Sequence, residues 1–247
     1  MNINQVPAKS ILSKSAIFDY VINPYIGCQH SCAYCYARFM KRFTGHKEAW
    51  GEFIDVKMNA PLLLEKEIKR KSPGRVWLSG FCDPYQPVEE KYGLTRACLE
   101  ILVHYKWAVT VQTKSVLVLR DMALFKGNKK IEVGMSVTTS DEGVRQLFEP
   151  GAASIEARIG ALEVLHSAGI RTFAMIAPLL PGGQGLAGEL KGKVDYVFVD
   201  RMNYHYADCI YRENGLFAEL SDKFFVSAGK RLAADFERQG TECTVLF

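Results

Sequence analysis

Six short apolar runs, each followed by a segment with helical spacing, restrict this chain to the α/β class. The runs are Phe18–Asn23, Arg75–Ser79, Ala108–Thr113, Ile131–Val137, Ile170–Ala177 and Val194–Asp200. They are rich in Val, Ile and aromatic residues and read as nearly continuous apolar stretches, which is how strands buried on both faces of a parallel sheet look. Helical segments lie between them. Residues 33–41 turn helical with Arg38 and Lys41 near the end, and Asn59 caps a segment with Pro61 just inside it. Leu94–Tyr105 places Leu94, Cys98, Ile101, Leu102 and Tyr105 on one stripe, Val116–Phe125 follows, and Ser154 caps the run to Ala168 that Gly169 closes.

The expected architecture is a partial (β/α)6 TIM-type barrel with a parallel sheet and its site at the C-terminal ends of the strands. Six units are too few for the usual eight-fold closure. A flat, doubly wound sheet is the alternative, and strand count does not separate the two. A length of 247 residues suits one such domain. With no low-complexity linker, one domain over 1–247 is expected. Residues 1–17 would form an extended segment on its surface, and 208–247 would be mainly helical, ending in the apolar tail Val245–Phe247.

No apolar run approaches the roughly 18 residues that span a bilayer. The start, Met1-Asn2-Ile3-Asn4-Gln5, lacks the basic and apolar regions of an export signal, so a cytoplasmic location and no membrane partner are expected. The net charge of +4 permits an anionic partner without requiring one. Lys69-Arg70-Lys71 suits a helix end better than a nucleic-acid arm. Seven cysteines, an odd number in a chain without an export signal, argue against a disulfide framework.

Cys28, Cys32 and Cys35 form a Cys-x3-Cys-x2-Cys loop at the end of the first apolar run. This spacing can set three thiolates on one concave loop with no fourth nearby. A closed structural site wants four ligands, so three suit a metal centre that leaves one position for a substrate or cofactor. Cys82, Cys98, Cys209 and Cys243 are scattered and expected to be small buried residues. Gly80–Pro87, Thr113–Ser115, Ser136–Thr139 and Ala177–Gly183 also follow strands at their C-terminal ends. In a parallel sheet all these loops meet on one face as a common pocket.

The motif set resembles a known family. The cysteine triplet with an aromatic after its third member is similar to radical S-adenosylmethionine (SAM) enzymes, and more closely to the branch related to spore photoproduct lyase. The matching pieces are Asn23-Pro24-Tyr25-x-Gly-Cys-x-His-x-Cys-x-Tyr-Cys-Tyr36, Asp83-Pro84-Tyr85-Gln86-Pro87-x-Glu89, Thr113-Lys114, Ser136–Thr139, Glu149-Pro150-Gly151, Arg158 and Ala177-Pro178. They occur in order and cover roughly residues 10–205.

The resemblance implies that Cys28, Cys32 and Cys35 hold three irons of a [4Fe-4S] cluster while the fourth takes SAM. Reductive cleavage would then yield a 5′-deoxyadenosyl radical that abstracts hydrogen from a substrate. It further implies that Gly80 and Asp83 meet the SAM amino group and Lys114 its carboxylate. Ser136 would bond the ribose, with Ala177 and Tyr36 against the adenine. Tyr34 and Tyr36 match tyrosines linked to hydrogen-atom return. Cys82 faces the presumed substrate, but stands one residue before Asp83 where the lyase's donor cysteine stands about three before its acidic residue, so that role does not transfer by position. His30 is read as supporting the loop by hydrogen bonds, and Trp50 and Trp77 as packing.

A reductant such as flavodoxin or ferredoxin is implied as a partner. Nucleic-acid repair follows by analogy only; a modified nucleoside or a small metabolite are open as well, and a peptide less so, since the cysteine-rich C-terminal extension of peptide-modifying relatives is not seen. Two other readings compete: a non-catalytic iron–sulfur or zinc module for electron transfer or protein contact, and a redox-sensing cysteine group on an unrelated α/β enzyme.

Overall fold

The computed structural model describes residues 1–247. Its strands are, in chain order, β1 (Asn2–Val6), β2 (Leu12–Lys14), β3 (Tyr20–Ile22), β4 (Tyr25–Ile26), β5 (Phe53–Lys57), β6 (Arg75–Leu78), β7 (Ala108–Thr113), β8 (Ile131–Ser136), β9 (Arg171–Ile176), β10 (Tyr196–Val199) and β11 (Glu242–Val245). The main sheet runs β11-β10-β9-β8-β7-β6-β3-β2. Its six central strands are the six apolar runs, each adjacent to the next in sequence and parallel to it. The sheet is open, with unpaired edges at β2 and β11, so the partial-barrel expectation stands and the eight-fold closed form does not.

Two strands extend the sheet beyond six units. β2 pairs antiparallel with β3, and Glu242–Val245, within the stretch expected to be mainly helical, forms β11 parallel to β10, with only Val245 of the apolar tail in the strand. Val76, Val109, Val133 and Val197 are all essentially fully buried within the main core. Each such side chain contributes about 1.5–3 kcal/mol relative to exposure. The helices Ala60–Ile68, Leu94–His104 and Ile155–Ser167 supply the covering stripe through Leu64, Leu99 and Leu162.

A second sheet, β1-β5-β4, has no counterpart in the sequence expectation. Tyr25, Ile54 and Val56 pack there with Val88 and Leu94 as a separate small core. This sheet seats the cysteine loop. The chain leaves β4 at Gly27, whose φ is +88° and whose missing Cβ would lie 2.2 Å from the Phe53 carbonyl oxygen, so only glycine fits the turn.

Local differences are also clear. Residues 33–41 are not one α-helix: a 3₁₀ turn covers Tyr36–Met40 and an α-turn Lys41–Thr44. Val116–Phe125 divides the same way, with 3₁₀ to Asp121. An unexpected helix, Glu142–Phe148, is capped by Asp141, which accepts from the amides of Gly143 and Val144 at 2.8 and 3.1 Å.

Candidate active site

A cavity of about 520 Å³ opens at the C-terminal ends of the parallel strands. Cys28, Cys32 and Cys35 line one wall, all as free thiols. Gly80, Cys82 and Asp83 after β6, Lys114 after β7, Ser136 at the end of β8 and Ala177 after β9 line the rest. Tyr34 and Tyr36 complete the set, so every residue to which the resemblance gives a cluster, SAM or hydrogen-return role borders this one space. The convergence follows from the parallel topology, which sends each of these loops to the same sheet edge.

The cysteine loop is held from three sides. From the Asp-Pro-Tyr-Gln-Pro loop, the Gln86 side chain accepts from the Gln29 amide at 2.9 Å and donates to the Gly27 carbonyl at 3.2 Å. From the Glu149-Pro150-Gly151 turn, the Phe148 carbonyl accepts from the Ala33 amide at 2.8 Å, and the Gly151 amide donates to the His30 carbonyl at 3.1 Å. Gly151 has no room for a side chain: a Cβ there would lie 2.3 Å from the Gln29 carbonyl oxygen. On the third side, the Tyr36 hydroxyl donates to the Gly80 carbonyl.

Sequence reasoning placed Asn23, Glu89, Glu149 and Arg158 in the motif set without roles, and the structure supplies their contacts. The Asn23 side-chain oxygen accepts from the Ser79 hydroxyl and the amides of Gly80 and Phe81, each at 2.8 Å, fixing the loop that carries Gly80. Glu89 accepts from the Tyr25 hydroxyl, the Thr95 amide and Arg120, pinning the base of the next loop. Glu149 is fully buried beside Arg158, 2.5 Å from its guanidinium, and accepts from Thr138 at 3.0 Å and from the Tyr34 hydroxyl. Lys114 lies 3.8 Å from the same carboxylate.

The electrostatics follow from this burial. Desolvation pushes the Cys32 thiol up to about 12, with the nearby Lys114 ammonium partly offsetting it. Cys28 and Cys35 are likewise raised, chiefly by burial. All three are thiols in the empty protein, so binding a metal there releases protons. Burial alone would lower Lys114, but Cys32 and Glu149 outweigh it and its pKa is raised. Asp83 is the converse: burial pushes its carboxyl up, and His30, Thr113 and the Lys114 amide together hold it down at about 2.

Asp83 is already committed to protein donors. It accepts from Thr113 at 2.5 Å, from the Lys114 amide at 2.7 Å and from the Tyr85 amide at 2.9 Å, with His30 Nδ1 at 3.3 Å. His30 therefore braces the loop through Asp83. His46 stacks on Phe53 and bonds Asp55 and Glu48, away from the cavity. Of the scattered cysteines, Cys98 is buried in the core as expected, but Cys82 and Cys243 are half-buried and Cys209 is exposed on a short helix, contrary to that expectation.

No three His, Cys, Asp or Glu side chains converge tightly enough to share one metal ion. The three free thiols of the loop, Cys28 and Cys32 buried and Cys35 half-buried, line one wall of the cavity and fit the [4Fe-4S] cluster that the resemblance implies, with the Cys82 thiol across from them on the Gly80 loop.

The sequence matches the radical SAM superfamily over residues 22–183. The chain belongs to the radical SAM superfamily. Members of this superfamily use a [4Fe-4S] cluster and SAM. An uncharacterized protein of Methanocaldococcus jannaschii is 35% identical over 227 residues, 87% of this chain and 85% of that protein. A Pseudomonas phage M6 protein named radical SAM Nalpha-GlyT isomerase is 26% identical over 161 residues, 64% of this chain and 33% of its own length. A spore photoproduct lyase mutant with bound AdoMet and dinucleoside spore photoproduct shares the fold, with a TM-score of 0.71 at 15% identity over 99% of this chain and 81% of that one. No helix of the radical SAM chain is long and apolar enough to cross a membrane.

Proposed function

We propose that this radical SAM protein is an enzyme that abstracts a hydrogen atom from its substrate, with Cys28, Cys32 and Cys35 holding the cluster. When bound, the cluster and SAM supply a 5′-deoxyadenosyl radical as the abstracting agent. The observation that carries the reading is the single cavity shared by the three loop thiols, the Cys82 thiol, Lys114, the Ser136 hydroxyl and the Gly80 loop.

The chain's own residues orient and shield. Lys114 offers a half-buried cation near Cys32, suited to the SAM carboxylate. The Gly80 carbonyl, on a loop that Asn23 immobilises, accepts from Tyr36 and has a second lone pair suited to the SAM ammonium. Asp83, its oxygens filled by four protein donors, acts in this proposal by joining the Gly80, Thr113 and cysteine loops rather than by taking the ammonium itself. Ser136, which accepts from Gln112 at 3.1 Å, keeps its hydroxyl proton for a ribose oxygen. Ala177 and Tyr36 flank the space left for the adenine.

Among the three candidates for hydrogen-atom return, Cys82 has the best support. Burial pushes its thiol up to about 12, so the S–H stays intact at neutral pH, and it borders the cavity 3.0 Å from Ser79 Oγ. The Tyr34 and Tyr36 hydroxyls are committed to Glu149 and Gly80, which favours anchoring roles. The substrate proposed is a nucleobase or nucleoside, supported by the dinucleoside photoproduct bound to the lyase of like fold. One main sheet running from Leu12 to Val245 supports a single working domain. A cytoplasmic setting with a dedicated reductant completes the proposal.

Anaerobic reconstitution with iron and sulfide tests it. A brown protein that splits SAM under dithionite, and that moves deuterium from a labelled nucleoside into 5′-deoxyadenosine, is the expected result. Zinc binding without SAM cleavage would overturn it in favour of a structural module.

A further inference from the structure

Trp50 does more than pack. Its ring meets Phe53 edge-on at 5.9 Å, and the two join Cys28 and Ala37 in a small apolar core that Cys35 packs against. Only 7% of Trp50 is exposed. Two contacts tie its position to the cysteine loop. The Ser31 hydroxyl donates to the Trp50 carbonyl at 3.0 Å, and a Cβ on Gly51 would stand 2.4 Å from that same hydroxyl oxygen. The Trp50 indole N–H is shielded from solvent and donates to no oxygen or nitrogen of the protein. Buried donors are rarely left this way, so its position calls for an acceptor. The sulfur it faces is that of Cys35: burial raises this thiol, and the Trp50 N–H works against the rise together with the Ala37 amide and the Lys114 and Arg38 cations. Cys28 is served in a similar manner by the Asp83 amide, whose nitrogen lies 3.5 Å from its sulfur. Trp50 does not border the cavity, so it touches neither the SAM space nor the substrate space.

We propose that Trp50 tunes the cluster from outside the cavity, by donating its indole N–H to the Cys35 sulfur once that sulfur is a metal-bound thiolate. The inference rests on the cluster assignment above. A thiol is a weak acceptor and a thiolate a strong one, so the orphaned donor gains its partner when the protein is loaded. Reduction brings in one electron, and its negative charge spreads onto the sulfurs; no bond forms or breaks. An N–H aimed at sulfur stabilises the more negative state more, which raises the reduction potential. Apolar surroundings act in the opposite direction, since a low dielectric opposes added charge. Trp50 therefore offsets part of the cost that its own ring and Phe53 impose on the cysteine loop. It acts through Cys35 and away from the reacting atoms, which makes it a positioning residue.

The test uses the reconstituted holoprotein, with wild type compared to Trp50→Phe, which keeps an aromatic ring against Phe53 and removes the N–H. Titration with dithionite and viologen mediators, read by electron paramagnetic resonance of the reduced cluster, gives the midpoint potential. The variant is expected to be about 10-fold harder to reduce at equilibrium, a shift of about 59 mV to more negative potential for one electron. Calorimetric SAM affinity should stay at the wild-type value. Pulsed resonance of the reduced wild type should also show a cluster-coupled proton that exchanges in D2O and is missing from the variant, a signature that packing alone does not produce. Replacing Trp50 by 3-benzothienylalanine, which keeps the bicyclic shape with sulfur in place of the N–H, should reproduce both changes with iron per chain unchanged. Equal potentials and equal proton couplings would overturn the proposal, and so would a shift to more positive potential. Loss of iron loading in the benzothienyl form would assign Trp50 to assembly of the loop and overturn it as well. A wild type that takes up no [4Fe-4S] cluster refutes the assignment beneath the proposal and is recognised before any variant is compared.

Discussion

Replacing Glu149 by Gln tests whether the buried ion pair behind the cysteine loop holds the site together. The substitution preserves shape and some hydrogen bonding but removes the charge facing Arg158, which is fully buried with its guanidinium 2.5 Å away. Leaving one member of such a pair uncompensated costs about 3–5 kcal/mol. In a chain of this size each kcal/mol shifts Tm by about 2–4 °C, so the variant should melt about 6–20 °C below wild type at neutral pH. The pH dependence carries a definite sign. Burial pushes the Glu149 carboxyl up, but Arg158 and Lys114 outweigh it and hold its pKa below the usual value. A folded pKa below the unfolded one contributes stability above the unfolded value of about 4.3, and that contribution disappears as pH falls through the folded value. The gap between wild type and variant should therefore be full near neutrality and narrow below about pH 4.3. Because Tyr34 donates to Glu149 and the adjoining residues 148 and 151 bond the loop backbone, iron loading per chain should fall as well. Calorimetric melting across pH, with iron analysis after reconstitution, measures both. A Tm within about 2 °C of wild type at neutral pH would refute the reasoning, since a network worth less than 1 kcal/mol positions nothing.

Other outcomes follow from the same geometry. Cys32→Ala should abolish the [4Fe-4S] absorbance while far-ultraviolet circular dichroism stays near wild type, because the thiol borders the cavity and a three-ligand set cannot lose a member; full absorbance would remove it from the ligand set. Lys114→Ala should weaken SAM binding about 10- to 150-fold, the range for losing a charge-assisted hydrogen bond of about 1.5–3 kcal/mol, with the cluster spectrum unchanged, and calorimetry showing equal affinity would refute it. Gly151→Ala should cost about 1–3 kcal/mol and reduce iron loading, since its Cβ would meet the Gln29 carbonyl; unchanged melting and loading would show that the turn yields freely.

The sequence by itself determined the order of the strands and the chemistry of the cysteine loop. Runs such as Val109–Val111 and Phe173–Ile176 are buried on both faces, so their apolar character shows without tertiary knowledge, and three thiols at fixed spacing carry their meaning locally. Asp141 shows the limit of that reading: its capping bond is local and visible in principle, yet the helix it starts is only Glu142–Phe148 and carries little stripe. What tertiary structure alone decided is the pairing of polar groups far apart in the chain. Glu149 finds Tyr34, Arg158, Thr138 and Lys114; Asn23 finds the amides of residues 80 and 81; and Asp83 is filled by His30, Thr113 and backbone donors rather than left open. The second sheet beneath the cysteines belongs to the same category, since β1 and β5 lie some fifty residues apart and meet by packing. A buried carboxylate has no periodic signature in sequence, because which cation or hydroxyl desolvates beside it is set by how the layers close around it.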